Sequence, residues 1–142
     1  MYTFAERLNE LMLEKNIKVE ELSAAIGISP SNIYAWKRDE ISLHLSKLLK
    51  LTDFFDCSLE FLTGRSNAVL DYKPQPCPPF YLRLRDFMIK FKVSGYKLQK
   101  HTSIGFAYLR KWEHGADPRI NSIISISDFF GITLDYLVGR DR

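Results

Sequence analysis

The chain repeats itself, and that repeat limits what it can fold into more than any other feature. Shifted by 76 positions, Phe4 falls on Phe80, Arg7 on Arg83, Leu8 on Leu84, Met12 on Met88, Leu22 on Leu98, Ile28 on Ile104 and Trp36 on Trp112. One residue is then lost. Shifted by 75, Asp53-Phe54-Phe55 falls on Asp128-Phe129-Phe130, and Leu59, Leu62, Gly64 and Arg65 fall on Leu134, Leu137, Gly139 and Arg140. Most of these identities are apolar, so the duplicated object is a core. The copies span 1–66 and 80–142. Between them 67–79 carries Pro74, Pro76, Pro78 and Pro79, four of the six prolines, which rules out helix interior there. As an extended polyproline stretch this linker spans roughly 40 Å, a semi-rigid spacer. Alternatively Val69, Leu70 and Tyr72 dock on a neighbouring domain, and the sequence leaves both readings open.

Within each copy the apolar spacing is helical and stop signals are frequent. Phe4, Leu8, Leu11 and Met12 make a first amphipathic helix. Leu22, Ala25 and Ile26 make a second, ended by Gly27, and Ser29-Pro30 opens a third from which Ile33 and Trp36 face inward. Leu45, Leu48, Leu49 and Phe55 define a fourth, and Ser58 caps a fifth that carries Leu59 and Leu62 and stops at Gly64. The second copy follows the same plan: Asp117-Pro118 opens its fourth helix and Gly131 ends it, while Thr133 caps its fifth and Gly139 closes it. No sustained two-residue alternation appears, so the fold class is all-α.

Composition excludes several function classes. Hydrophobic residues at 46% and charged residues at 26% support a packed core. No apolar run approaches the ~18–20 residues that cross a bilayer, and the start of the chain lacks a signal-peptide pattern, so a cytoplasmic protein is expected. Cys57 and Cys77 sit apart with no histidine at ligand spacing, which predicts ordinary thiols and no metal. His44, His101 and His114 show no nucleophile or metal pattern, and no phosphate loop or facing carboxylate pair stands out, so neither enzyme nor cofactor is expected. The net charge is only +3, but it is uneven: 1–66 holds 8 basic and 10 acidic residues, net −2, whereas 80–142 holds 11 and 6, net +5. A polyanion partner suits the second copy better.

The stretch Leu22 to Trp36, a helix, a Gly27-Ile28-Ser29 turn and a second helix, has the layout of a helix-turn-helix, which presents its second helix to a DNA major groove. With Trp36-Lys37-Arg38, Trp112-Glu113-His114-Gly115 and the endings Asp53 to Arg65 and Asp128 to Arg140, both copies resemble lambda-repressor-like, Cro/C1-type domains of the XRE family. The resemblance implies two tandem five-helix domains, double-stranded DNA as partner, and transcription regulation as function. It also implies which residues touch DNA. In copy one these are Ser31, Asn32 and Tyr34 on the first turns of the third helix, beside Pro30 and Ala35, with Lys18, Lys37 and Arg38 on phosphates. In copy two they are Phe106, Ala107, Tyr108, Arg110 and Lys111, with Ser94, Gly95, Tyr96 and Lys97 opening the second helix and His114 near phosphate. Asn reads adenine, an Arg fork reads guanine, and Ala packs on a thymine methyl. Asn32 and Ser31 are alternatively caps of their own helix, and Phe106 and Tyr108 alternatively contacts for a protein.

Three departures from the family pattern fall at the corner. The glutamine that commonly opens the second helix is replaced by Val19 and Gly95; the small residue inside it is kept as Ser23 but becomes Gln99 in copy two, and the turn glycine is kept as Gly27 but becomes Ser103. A competing expectation makes one or both copies interaction modules, for an antitoxin-like or phage-factor-like partner. In that reading Phe61, Tyr136 and Val138 on the fifth helices form a homodimer seam or partner face.

Overall fold

The computed structural model describes residues 2–38 and 43–142, and all its regular elements there are helices. The chain divides into two compact units, Met1–Asp71 and Tyr72–Arg142. The first contains α1 (Phe4–Glu14), α2 (Val19–Ile26), α3 (Pro30–Lys37), α4 (Leu45–Phe55) and α5 (Leu59–Leu62). The second contains α6 (Phe80–Lys90), α7 (Gly95–Thr102), α8 (Phe106–Glu113), α9 (Ile120–Phe130) and α10 (Leu134–Val138). No helix is long and apolar enough to cross a membrane among the described residues.

Local chemistry sets the starts and stops. Thr3 and Glu6 form a capping box at α1, each side chain bonding the other's backbone N–H at 3.1 Å. Ser58, Ser94 and Thr133 cap α5, α7 and α10 through their hydroxyls. Ser29 occupies the N-cap of α3 ahead of Pro30, but its hydroxyl faces Ser31 Oγ at 3.3 Å and makes no cap bond. The fourth helix of the second unit starts at Ile120 with Arg119 as N-cap, two residues after the expected Asp117-Pro118. Pro118 is buried instead.

Each core gathers the repeated residues. Leu8, Leu22, Ile33 and Leu48 are fully buried in the first unit, as are Leu84, Leu98 and Ile123 in the second. Phe4 meets Trp36 edge-on at 6.4 Å, and Phe80 meets Trp112 at 5.4 Å. Ala25, expected inside, is exposed; the inward face of α2 is Val19, Leu22 and Ile26. A four-residue step from Leu22 reaches Ile26, so a side chain three along at Ala25 sits at the edge of that stripe.

A buried arginine, Arg7, and a half-buried one, Arg83, close the two units. Arg7 lies between the rings of Tyr2 and Phe61, at 4.1 and 3.8 Å, and donates to the carbonyl of Ser66. Arg83 lies over Phe87 and Tyr136 and donates to the carbonyls of Leu137 and Tyr136 at the end of α10.

The proline-rich segment is tied at both ends to the unit it adjoins. Ser58 donates its N–H to the Val69 carbonyl at 2.6 Å and its hydroxyl to the Ala68 carbonyl. On the other side Tyr72 donates to the Asp135 carboxylate and accepts from Arg140 at 2.8 Å, and Gln75 N–H donates to the Arg140 carbonyl. Asp135 and Arg140 are buried and paired at 3.5 Å. Burial first, then the bond to Asp135, push the Tyr72 phenol well above its usual pKa. Of the three residues expected to dock, Tyr72 is held by its hydroxyl and Leu70 is half-buried, whereas Val69 is exposed and bonded only through its backbone carbonyl.

Candidate nucleic-acid interface

α2 and α3 of the first unit meet at a corner turned by Gly27 at φ 69°. The left-handed conformation there lets its N–H return to the Ser23 carbonyl and end α2, and Ser23 Oγ donates across the turn to the Ile28 carbonyl at 2.5 Å. The following Pro30 starts α3 with Ile33 and Trp36 buried. Helical geometry then turns Ser31, Asn32 and Tyr34 away from the core: Ser31 and Tyr34 are exposed and Asn32 is half-buried. The Asn32 carboxamide makes no hydrogen bond among the described residues, so the expected alternative of a self-capping asparagine is not what is found. Lys18 stands exposed at the N-cap of α2, Lys37 is half-buried in the last turn of α3 and Arg38 is exposed at its C-cap.

An acidic neighbour was not legible in the sequence. Tyr34 donates its hydroxyl to Glu20 at 2.9 Å, bringing a carboxylate from the first turn of α2 to the outer face of α3. A backbone hydrogen bond and then the Tyr34 hydroxyl hold the Glu20 carboxyl below its usual range, and the same contact raises the Tyr34 phenol. Glu21 closes the same helix start by accepting the Lys18 N–H at 3.1 Å. Fourteen positions separate Glu20 from Tyr34, and no local pattern links them.

In the second unit the corresponding corner is turned by Ser103, also left-handed at φ 61°. Ser94 caps α7 by accepting the Lys97 N–H at 3.1 Å, and no acidic side chain occupies that first turn. Phe106, Ala107, Tyr108, Arg110, Lys111 and His114 are all exposed. Ala107, Arg110, Lys111 and His114 line one shallow cleft on the outer side of α8, while Tyr108 leans towards Trp112 with Lys111 Nζ 5.7 Å from its ring. His101, exposed, stacks on Phe129 at 5.6 Å. Among the described residues no group of three or more His, Cys, Asp or Glu side chains is placed to hold a metal ion.

The fifth-helix seam needs correction. Phe61 is 6% exposed beneath the Arg7 guanidinium and Val138 is 0% exposed, so both belong to the interiors of their own units. Tyr136 is half-buried, its ring 5.4 Å from Phe87. Helices of four and five residues show barely one turn, too short for periodicity to assign an outer face.

A Cro/C1-type HTH DNA-binding domain is found at residues 7–63, by match to the model of that family. The match lies within the first unit. Among solved structures, a transcriptional regulator from Listeria innocua is 20% identical over 69% of this chain and 84% of its own, with a TM-score of 0.42. No curated protein matches the sequence.

Proposed function

We propose that the protein is a cytoplasmic, sequence-specific transcription regulator in which two repressor-like domains, 1–66 and 80–142, read the DNA major groove with their third helices, α3 and α8. The observation that carries this is the outward set of Ser31, Asn32 and Tyr34 on α3, inside the domain matched at 7–63. Asn32 is the adenine reader, its carboxamide unspent on its own helix, while Lys18, Lys37 and Arg38 neutralise phosphates. In the second domain Arg110 is the guanine reader, Ala107 the thymine-methyl contact, and Lys97, Lys111 and His114 the phosphate ligands. Support for extending the reading to that domain is the repeated core and its net +5. No catalysis, cofactor or metal enters this reading.

Selection of bound duplexes from a random pool, followed by titration against salt, tests the proposal. A steep fall of affinity with salt is expected, with a log–log slope of about −0.9 per phosphate contact. Lys37→Ala is expected to flatten that slope by about one while weakening all sequences alike, and Asn32→Ala to relax preference at one base by about 1–3 kcal/mol. A flat salt response rejects groove binding. The exposed Phe106 and Tyr108 favour a second reading, in which the second domain contacts a protein.

A further inference from the structure

We propose that the groove between α6 and α8 of the second unit is a docking site for an acidic amphipathic helix of a partner protein. This groove encloses about 570 Å³, lined by Tyr81, Met88, Ile89 and Val93 on one side and Phe106 and Leu109 on the other. Its polar lining is Arg85, Lys92, Ser94, Arg110 and Glu113, three cations against one carboxylate. The floor is apolar and the rim is net positive, which complements a helix with an apolar stripe and acidic flanks. From Tyr81 to Ile89 the floor runs roughly 12 Å along α6, about two turns of a bound helix presenting anchors at i, i+3 or i+4, and i+7.

The first unit shows that the groove is not a by-product of the fold. There Ile33 and Met12, the counterparts of Leu109 and Met88, are buried, whereas Leu109 and Met88 are half-exposed. Val19 is buried at the foot of α2; its counterpart Gly95 has no side chain, and the Phe106 ring lies where one would go, 2.7 Å from an ideal Cβ. Asn9 bridges α1 to the Lys37 carbonyl at 3.4 Å, while its counterpart Arg85 turns out to solvent beside Asp86. The second unit thus gives up closure of this crevice at Met88 and Leu109 and leaves Phe106 53% exposed at its mouth; Ile89, 68% exposed beside it, is matched by an equally outward Leu13 in the first unit. Apolar surface gathered in one crevice marks an interaction site more than scattered single residues do. This inference does not rest on DNA binding by the first domain; on the basic outer face of α8, Ala107, Lys111 and His114 lie outside the groove, while Arg110 borders both.

The test is fluorescence anisotropy of the full chain with labelled synthetic helix-forming peptides. One carries leucines at i, i+3 and i+7 with glutamate flanks, a second has the same leucines with lysine flanks, and a third has glutamate flanks with serines for leucines. The first is expected to bind at least about tenfold more tightly than either other. Ile89→Asp, at an exposed position, is expected to weaken it by about tenfold or more. Arg85→Glu with Lys92→Glu is expected to reverse the preference towards the lysine-flanked peptide, a gain that misfolding cannot mimic. Equal binding of the three peptides, or indifference to Ile89→Asp, overturns the proposal. So does self-association that Ile89→Asp abolishes in sedimentation without peptide, since a second copy is then the occupant, or displacement of the peptide by random duplex that Lys111→Ala leaves unchanged, since the groove is then a DNA surface.

Discussion

The two units share a skeleton and differ at one corner, and the residues they share are almost all inside. Phe4, Leu8, Leu22 and Trp36 are buried, and so are Phe80, Leu84, Leu98 and Trp112. Around the corner, the first unit has Gly27 in its turn, Val19 buried at the foot of α2 and Glu20 bonded to Tyr34; the second has Ser103, Gly95 and the Phe106 ring. A packed interior answers to volume and penalises change in either direction, whereas an exposed helix face can exchange serine and asparagine for alanine and tyrosine at little folding cost. The comparison teaches that the repeat reports on folding, while the unrepeated positions carry the surfaces proposed for binding.

The strongest way to break the comparison is to empty the shared core. Trp36→Ala and Trp112→Ala are each expected to cost about 3–5 kcal/mol in the unit concerned, read by chemical denaturation followed with hydrogen exchange to separate the units. A global loss from either substitution would show that the units do not unfold separately. Next in size is the Tyr72 contact. Tyr72→Phe removes the partner of buried Asp135 and Arg140, and a loss of about 1–3 kcal/mol confined to Tyr72–Arg142 is expected. The pH sign follows from the raised Tyr72 pKa: a phenol held protonated by folding contributes stability fully below the unfolded value of about 10, and loses it as pH rises above that. Tyr72→Phe is therefore expected to flatten the alkaline limb of the stability profile of the second unit.

A smaller effect sharpens the corner. Ser103 holds a conformation that costs a residue with a Cβ roughly 1 kcal/mol, so Ser103→Gly is expected to stabilise the second unit by up to that amount and Gly27→Ser to destabilise the first similarly, by thermal unfolding. Smallest is the charge at the α3 face. Glu20→Gln takes a carboxylate away from the proposed phosphate side and is expected to tighten duplex binding a few-fold at low salt, an effect that fades as salt rises.

Much of the architecture was legible because helices of eight to eleven residues declare their inner face through spacing, as at Leu8 and Leu11 or Leu45 and Leu48, and because Gly27, Ser58 and Thr133 mark ends by local chemistry. The outer face of α3 followed by subtraction once Ile33 and Trp36 were placed inside. What escaped is what depends on distant partners. Arg7 covering Phe61 joins the two ends of one unit, Tyr72 reaching Asp135 crosses nearly the whole of the other, and the exchange of Val19 for Gly95 acquires meaning only when the Phe106 ring is seen to occupy the space. The prolines of 67–79 specified an extended backbone but not what that backbone would bond.

The central claim is that α3 presents its outer residues to base edges. The most direct measurement is NMR titration of the full chain with a duplex recovered by selection, mapping perturbed amides and side-chain carboxamides. Shifts concentrated at Ser31, Asn32, Tyr34 and Lys37, with the Asn32 carboxamide protons among the largest, are the result expected. Saturation of binding with those signals unmoved would contradict it.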